Sequence, residues 1–174
     1  TGDDGPSHHG IWDLALTGIV PNMRVGAPRD GARLKEILRE CVSIENAPSM
    51  LRFPKGAVPA DIPAVERIAG ADLLHRAASK KVLLISIGAM ATMALEIAQI
   101  AKEQSLDITV IDPVWVKPIS PAVIAMCSEY STVVVLEDGI KHAGIASAIS
   151  ESLRDAGINC SLHSIGVPLE FIAV

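Results

Sequence analysis

In the second half of the chain, short runs of Val, Ile and Leu alternate with longer helical patterns, and this alternation constrains the fold more than any other feature. Strand-like runs occupy residues 73–75, 82–87, 108–111, 132–136 and 160–165. A helix is predicted over 89–104, with Met90, Met93, Ala94, Ile97 and Ala101 on its apolar face. Ser120 followed by Pro121 supplies an N-cap and an N1 proline, so another helix is predicted to about residue 128. A third spans 144–156, with Ile145, Ile149 and Leu153 on one face and Gly157 at its C′ position. Strands joined by helices of this length imply βαβ units and a mostly parallel sheet covered by helices. Such strands are buried on both faces. Aromatics are only 3% of residues while 49% are hydrophobic, so aliphatic side chains must build the core.

The first part of the chain is less regular. Residues 11–18 read as a short helix closed by Gly18, and 23–27 as a strand. Asp30 offers an N-cap to a helix whose apolar face carries Leu34, Ile37, Leu38, Cys41 and Val42. Residues 49–53 read as a strand halted at Pro54. Residues 57–70 contain Pro59, Pro63 and little periodicity, and read as a linker. The expected architecture is α/β in two units, the first incomplete. The opening at Thr1, without an initiator Met, reads as a cut through a longer chain.

Net charge is −5, with no basic stripe of the kind nucleic-acid binding requires. The longest apolar run is too short to span a bilayer. No basic segment followed by an apolar stretch opens the chain, so nothing points to export. Cys41, Cys127 and Cys160 lie far apart without CxxC spacing and read as buried thiols in a reducing cytoplasm.

Polar residues concentrate in Asp3-Asp4-Gly5-Pro6-Ser7-His8-His9-Gly10. Two carboxylates and two imidazoles there suit proton handling in a cleft. An ordinary polar turn capping the next helix explains them equally well, and a metal site is the weaker reading. Arg52-Phe53-Pro54-Lys55-Gly56 ends a predicted strand, where α/β sheets bind ligands and where two cations suit a phosphate. Solvated charge is the alternative. Glu137-Asp138-Gly139 reads either as site lining or as a helix start, and His75 and His163 read as structural. Neither GxGxxG nor GxxxxGK[ST] occurs, so a dinucleotide or P-loop site has no support.

Asp4-Gly5-Pro6-Ser7-His8-His9-Gly10-Ile11-Trp12-Asp13-Leu14 closely resembles a segment of the 1-deoxy-D-xylulose-5-phosphate synthases, which are transketolase-like thiamine-diphosphate enzymes. The likeness continues through residues 25–30, 52–56, 112–118, 135–139 and 165–168, covering essentially the whole chain. It implies that residues 1–56 are the C-terminal half of a pyrimidine-binding domain and 71–174 a transketolase C-terminal domain, with 57–70 the linker. It implies a cytoplasmic homodimer that joins pyruvate to D-glyceraldehyde 3-phosphate with decarboxylation, feeding isoprenoid, thiamine and pyridoxal synthesis.

Within that resemblance Asp4 and His8 match substrate-channel residues, with His8 able to relay a proton. Lys55 stands where the family usually has an Arg for the acceptor phosphate, exchanging a planar fork for a point charge, and Arg52 shares or supports that role. Thiamine diphosphate and Mg2+ would be held mainly by the missing N-terminal part of the protein, so this chain alone is expected to be inactive. Two other readings stay open: a transketolase or 2-oxo acid dehydrogenase β-type subunit, and a non-catalytic dimerisation module.

Overall fold

The computed structural model describes residues 5, 8–68 and 70–172. Nine strands and five helices order as α1 (Asp13–Gly18), β1 (Arg24–Gly26), α2 (Gly31–Ser43), β2 (Ser49–Leu51), β3 (Glu66–Ile68), β4 (Ala71–His75), β5 (Val82–Ser86), α3 (Ala91–Glu103), β6 (Ile108–Asp112), β7 (Trp115–Lys117), α4 (Pro121–Cys127), β8 (Thr132–Ile140), α5 (Ile145–Asp155) and β9 (Ser161–Val167), counted among the described residues. A 3-10 turn over Gly88–Met90 precedes α3.

Six strands form one sheet in the order β3-β4-β6-β5-β8-β9. β6, β5, β8 and β9 are mutually parallel, whereas β3 and β4 run antiparallel at one edge. The parallel part follows from the βαβ connections. The antiparallel edge includes β3, which lies within the stretch read as linker. Residues 132–136 were the expected extent of β8, but the strand continues to Ile140 after a register irregularity.

Helices cover both faces. Leu83, Ile85, Val133 and Val135 face the cluster that takes Val123 and Cys127 from α4 and Ile149 and Leu153 from α5. Leu84, Val110 and Leu136 face the other way, against Ala91, Ala94 and Ala98 of α3. Those alanines let α3 approach the sheet closely, and they rotate the expected apolar face. Met93 is therefore left 48% exposed. On α2 only Ile37 of the expected stripe is fully buried, while Val42 is 78% exposed. Ile145, Ile149 and Leu153 are buried as their spacing predicts.

The local capping rules hold. Asp30 Oδ1 accepts from Arg33 N at 2.8 Å, and Ser120 Oγ accepts from Ala122 N at 3.3 Å. Gly157 follows α5 at φ +68°, the left-handed conformation that glycine adopts without a Cβ penalty. All three cysteines are free, and burial pushes the Cys127 thiol up to about 12.

A second, three-stranded sheet joins the two parts of the chain. Its order is β2-β1-β7, with β1 and β2 parallel and β7 antiparallel to β1. Lys117 at the end of β7 donates to the carbonyls of Thr17, Gly18 and Val20 at 2.6, 2.8 and 2.9 Å. A cation at those carbonyls satisfies the open end of α1 and matches its dipole. Trp115 Nε1 donates to Glu40 Oε2 on α2 at 2.7 Å.

Buried charge reinforces this junction. Arg29, in the turn before α2, donates through one terminal nitrogen to Asp72 Oδ2 at 2.6 Å and Asp112 Oδ2 at 2.8 Å. Its Nε and other terminal nitrogen donate to the Ile62 carbonyl at 3.0 and 2.8 Å. Asp30 Oδ2 accepts from Ile62 N at 2.9 Å, so Ile62 is pinned through both its N–H and its carbonyl. Arg33 and Arg67 also reach Asp72, at 2.6 and 3.0 Å. Asp112 Oδ1 accepts from Val114 N at 2.9 Å. This bond braces Val114 at φ +61°, a conformation costing about 1–3 kcal/mol for a non-glycine residue, and lets β6 turn into β7.

The two carboxylates differ in their protonation. Burial pushes the Asp72 carboxyl up, but hydrogen bonds from Arg29 and Arg67 outweigh it and hold it below the usual carboxylate range. Asp112 shares only Arg29 and is fully buried, so its carboxyl is raised from 3.8 to about 6. Between those values the folded chain retains a proton that the unfolded chain has released, so the Asp112 contribution to stability falls as pH rises. Asp72 acts oppositely, and its contribution is lost as pH falls. Urea unfolding across pH 4–7 checks both assignments. Asp72→Asn is expected to cost ~3–5 kcal/mol at neutral pH, as for a broken buried pair. The stability difference between wild type and Asp112→Asn is expected to shrink as pH rises from about 4 to about 6.

Candidate functional site

The polar turn before α1 and the basic segment after β2 both attach to the carboxyl end of β8. His8 is exposed in that turn, and its backbone N–H donates to the Gly5 carbonyl at 3.1 Å. Asp4 lies outside the described residues. Gly10 has φ +69°, and a Cβ there would stand 2.8 Å from Asp13 Oδ2, so the turn into α1 requires glycine. Beyond it, the Ile11 carbonyl accepts from Ile140 N of β8 at 2.7 Å. Leu14 Cδ1 packs over Gly139, where a Cβ would come within 3.1 Å.

Arg52 continues the line of β2, its N–H donating to the Gly26 carbonyl at 2.9 Å. Its guanidinium donates to Asp138 Oδ1 at 2.6 Å, with the two side chains 11% and 22% exposed. Lys55 meets different surroundings. It is exposed at the rim of a cleft of about 200 Å3, lined also by Pro28, Arg29, Phe53, Pro54 and Val58. The two cations of the segment thus sit in different places: Arg52 is half-buried against a carboxylate, and Lys55 lines the cleft.

Glu137, beside Asp138, is buried and closes the amino end of α5. Its Oε2 accepts from Ile145 N at 2.9 Å and its Oε1 from Ala146 N at 3.1 Å. Burial raises its carboxyl above the ordinary value, although those two N–H groups oppose the rise. Of the two readings of residues 137–139, a helix start is what Glu137 makes. Asp138 instead supplies the partner of Arg52. The available signal for this segment was an acidic pair closing a Val-rich strand just before a glycine and a helix. His75 pairs with Asp107 at 3.2 Å, and His163 Nε2 contacts Ser161 Oγ at 3.0 Å. Among the described residues, no group of three or more His, Cys, Asp or Glu could hold a metal ion, and no helix is long and apolar enough to cross a membrane.

This arrangement holds a histidine turn and a basic loop at the carboxyl ends of parallel strands, the place where open α/β sheets bind ligands. Residues 70–173 match the family model "Transketolase, C-terminal domain", and residues 1–61 match "Transketolase, pyrimidine binding domain". The chain belongs to the transketolase family. Among curated relatives it is 47% identical over 173 residues to a protein of Leifsonia xyli named 1-deoxy-D-xylulose-5-phosphate synthase. A protein of the same name from Clavibacter sepedonicus is also 47% identical. Each match covers 99% of this chain and 27% of the relative, so the chain spans about a quarter of their length.

Among solved structures, a "split gene transketolase, inactive beta4 tetramer" superposes with TM-score 0.82 at 28% identity, covering 93% of this chain and 54% of that one. A transketolase from Campylobacter jejuni superposes with TM-score 0.74 at 21% identity, covering 99% and 26%, and shares the fold.

Gly144 tests the packing beneath the site. A Cβ there would fall 2.4 Å from both Glu137 Oε2 and the Ile140 carbonyl. Gly144→Ala is expected to destabilise the chain by about 1–3 kcal/mol, read from the urea midpoint, because Glu137 Oε2 cannot retreat without giving up its bond from Ile145 N and the Ile140 carbonyl is backbone.

Proposed function

We propose that this chain forms the acceptor side of a 1-deoxy-D-xylulose-5-phosphate synthase, which joins pyruvate to D-glyceraldehyde 3-phosphate with loss of carbon dioxide. The observation that carries the reading is the attachment of two segments, the His8 turn and residues 52–56, to one strand end. Identity of 47% with two relatives named 1-deoxy-D-xylulose-5-phosphate synthase supports the choice of reaction. The complete enzyme is read as a cytoplasmic homodimer. Free cysteines fit a reducing compartment, and exposed Ile19 and Val42 fit further burial against protein.

Thiamine diphosphate, when bound, supplies the electron sink for decarboxylation of pyruvate. Its diphosphate and Mg2+ are assigned to residues outside this chain, as the family resemblance implies. The residues of this chain act on the acceptor. Lys55, as a point charge at the cleft rim, holds the phosphate of the aldehyde substrate. Orienting the phosphate places the aldehyde carbon for bond formation and converts a bimolecular encounter into a positioned one. His8 donates to, or relays a proton toward, the aldehyde oxygen as charge develops there. Asp4 accepts a hydrogen bond from a substrate hydroxyl. Arg52 supports the loop that carries Lys55.

Steady-state kinetics of the complete enzyme test these roles. Lys55→Met is expected to raise KM for glyceraldehyde 3-phosphate about 10–100-fold with little change in KM for pyruvate, and Lys55→Arg to retain most affinity. His8→Ala is expected to lower kcat/KM roughly 100-fold. Unchanged kcat/KM for both substrates would remove His8 from the mechanism.

A further inference from the structure

We infer that the cleft between the start of β1, the loop before β2 and the end of β7 is a binding site for a polyol phosphate monoester, with Arg24 as its anchor. The inference does not depend on the roles given to Lys55 and His8.

Arg24 opens β1, and its N–H donates to the Pro48 carbonyl at 2.9 Å, so the loop joining α2 to β2 lies alongside it. On the other side of the strand, Val25 pairs with Lys117 at the end of β7. Asn22 precedes the strand at φ +57°, a left-handed conformation that asparagine adopts more readily than most residues. These segments enclose a cleft of about 480 Å3 whose polar lining is Asn22, Arg24, Asn46 and Lys117. A hollow of that size suits a small ligand. It lies at the amino ends of the parallel pair β1 and β2, whereas residues 52–56 leave the carboxyl end of β2.

The charge lining this cleft is positive, and no carboxylate lines it. Lys117 directs its three N–H groups to the carbonyls of Thr17, Gly18 and Val20. Those acceptors are uncharged, so Lys117 attracts an anion by its charge while having no N–H left to donate. Arg24 is exposed, and among the described residues its side chain has neither a hydrogen bond nor an ion pair. Its planar fork matches two oxygens of one phosphate. Asn22 and Asn46 bring amide N–H donors to the same cleft.

Two adjoining hollows meet the cleft at Arg24. One, of about 350 Å3, is lined by Glu40, Ser43 and Trp115, and the other, of about 380 Å3, by Ser43 and Glu45. Glu40 accepts from Trp115 through Oε2, which leaves Oε1 for a ligand. Carboxylates accept from hydroxyls and repel a second anion. The arrangement therefore takes one phosphate at Arg24 and a hydroxylated body along Glu40 and Glu45.

Calorimetric titration of the complete enzyme with D-sorbitol 6-phosphate tests the site, since a ligand without a carbonyl cannot serve as the acceptor. One binding event per chain is expected, weakened roughly tenfold or more by Arg24→Gln and held within about twofold by Lys55→Met. Inorganic phosphate is expected to bind about tenfold more weakly, lacking the hydroxyls that meet Glu40 and Glu45. Asn46→Asp, which sets a carboxylate in the lining shared with Arg24, is expected to weaken binding as well and decides the matter should Arg24→Gln not fold.

Absence of saturable binding overturns the inference, as does binding that Arg24→Gln or, in its place, Asn46→Asp leaves unchanged. Binding lost in Lys55→Met and kept in Arg24→Gln belongs to the acceptor site and overturns it too. Inorganic phosphate binding as tightly as the ester overturns the assignment of a polyol ligand.

Discussion

The guanidinium of Arg29 lies between two fully buried carboxylates, Asp72 and Asp112, that come from different strands of the large sheet. Arg29 itself belongs to the small sheet's side of the junction, one turn before α2. A charge in that position cannot slide, because any displacement leaves a buried carboxylate without its partner. The small sheet depends on this restraint. β7 departs from β6 through Val114, whose left-handed backbone is braced by the same Asp112. Buried ion pairs seldom add net stability over apolar residues of equal volume. Their value here is geometric, since an apolar junction would tolerate many relative placements and this one admits a single register.

That restraint reaches the site by way of β8. Fixing the two sheets relative to each other brings the end of β2 against the end of β8, where Arg52 meets Asp138. The histidine turn arrives independently through Ile11 and Leu14. Two segments far apart in sequence therefore share one support, as the proposed role in holding an acceptor phosphate and a reacting carbonyl requires.

Much of the fold was legible in the sequence because its signals are local. The Asp30 and Ser120 caps, Gly157 after α5 and the aliphatic runs of β5, β6 and β8 each follow from residues within a few positions of one another. Other features carry no local trace. β3 and β7 have three residues each, and their strand character comes from pairing with β4 and β1. The alanine face of α3 was obscured by the larger Met93, which propensity favours and close packing excludes. Arg29 finds its carboxylates 43 and 83 residues away, and Arg52 finds Asp138 at a separation of 86. The sequence placed Arg52 and Lys55 together as a basic pair but could not separate the cation committed to a carboxylate from the one at a cleft.

The central claim is that the acceptor phosphate meets Lys55 while Arg52 remains on Asp138. A crystal structure of the complete enzyme with glyceraldehyde 3-phosphate bound tests it most directly. The account predicts phosphate oxygens within hydrogen-bonding reach of Lys55 Nζ, an intact Arg52–Asp138 pair, and the aldehyde turned toward His8. A phosphate bound away from residues 52–56, or held by an Arg52 that has left Asp138, would contradict it.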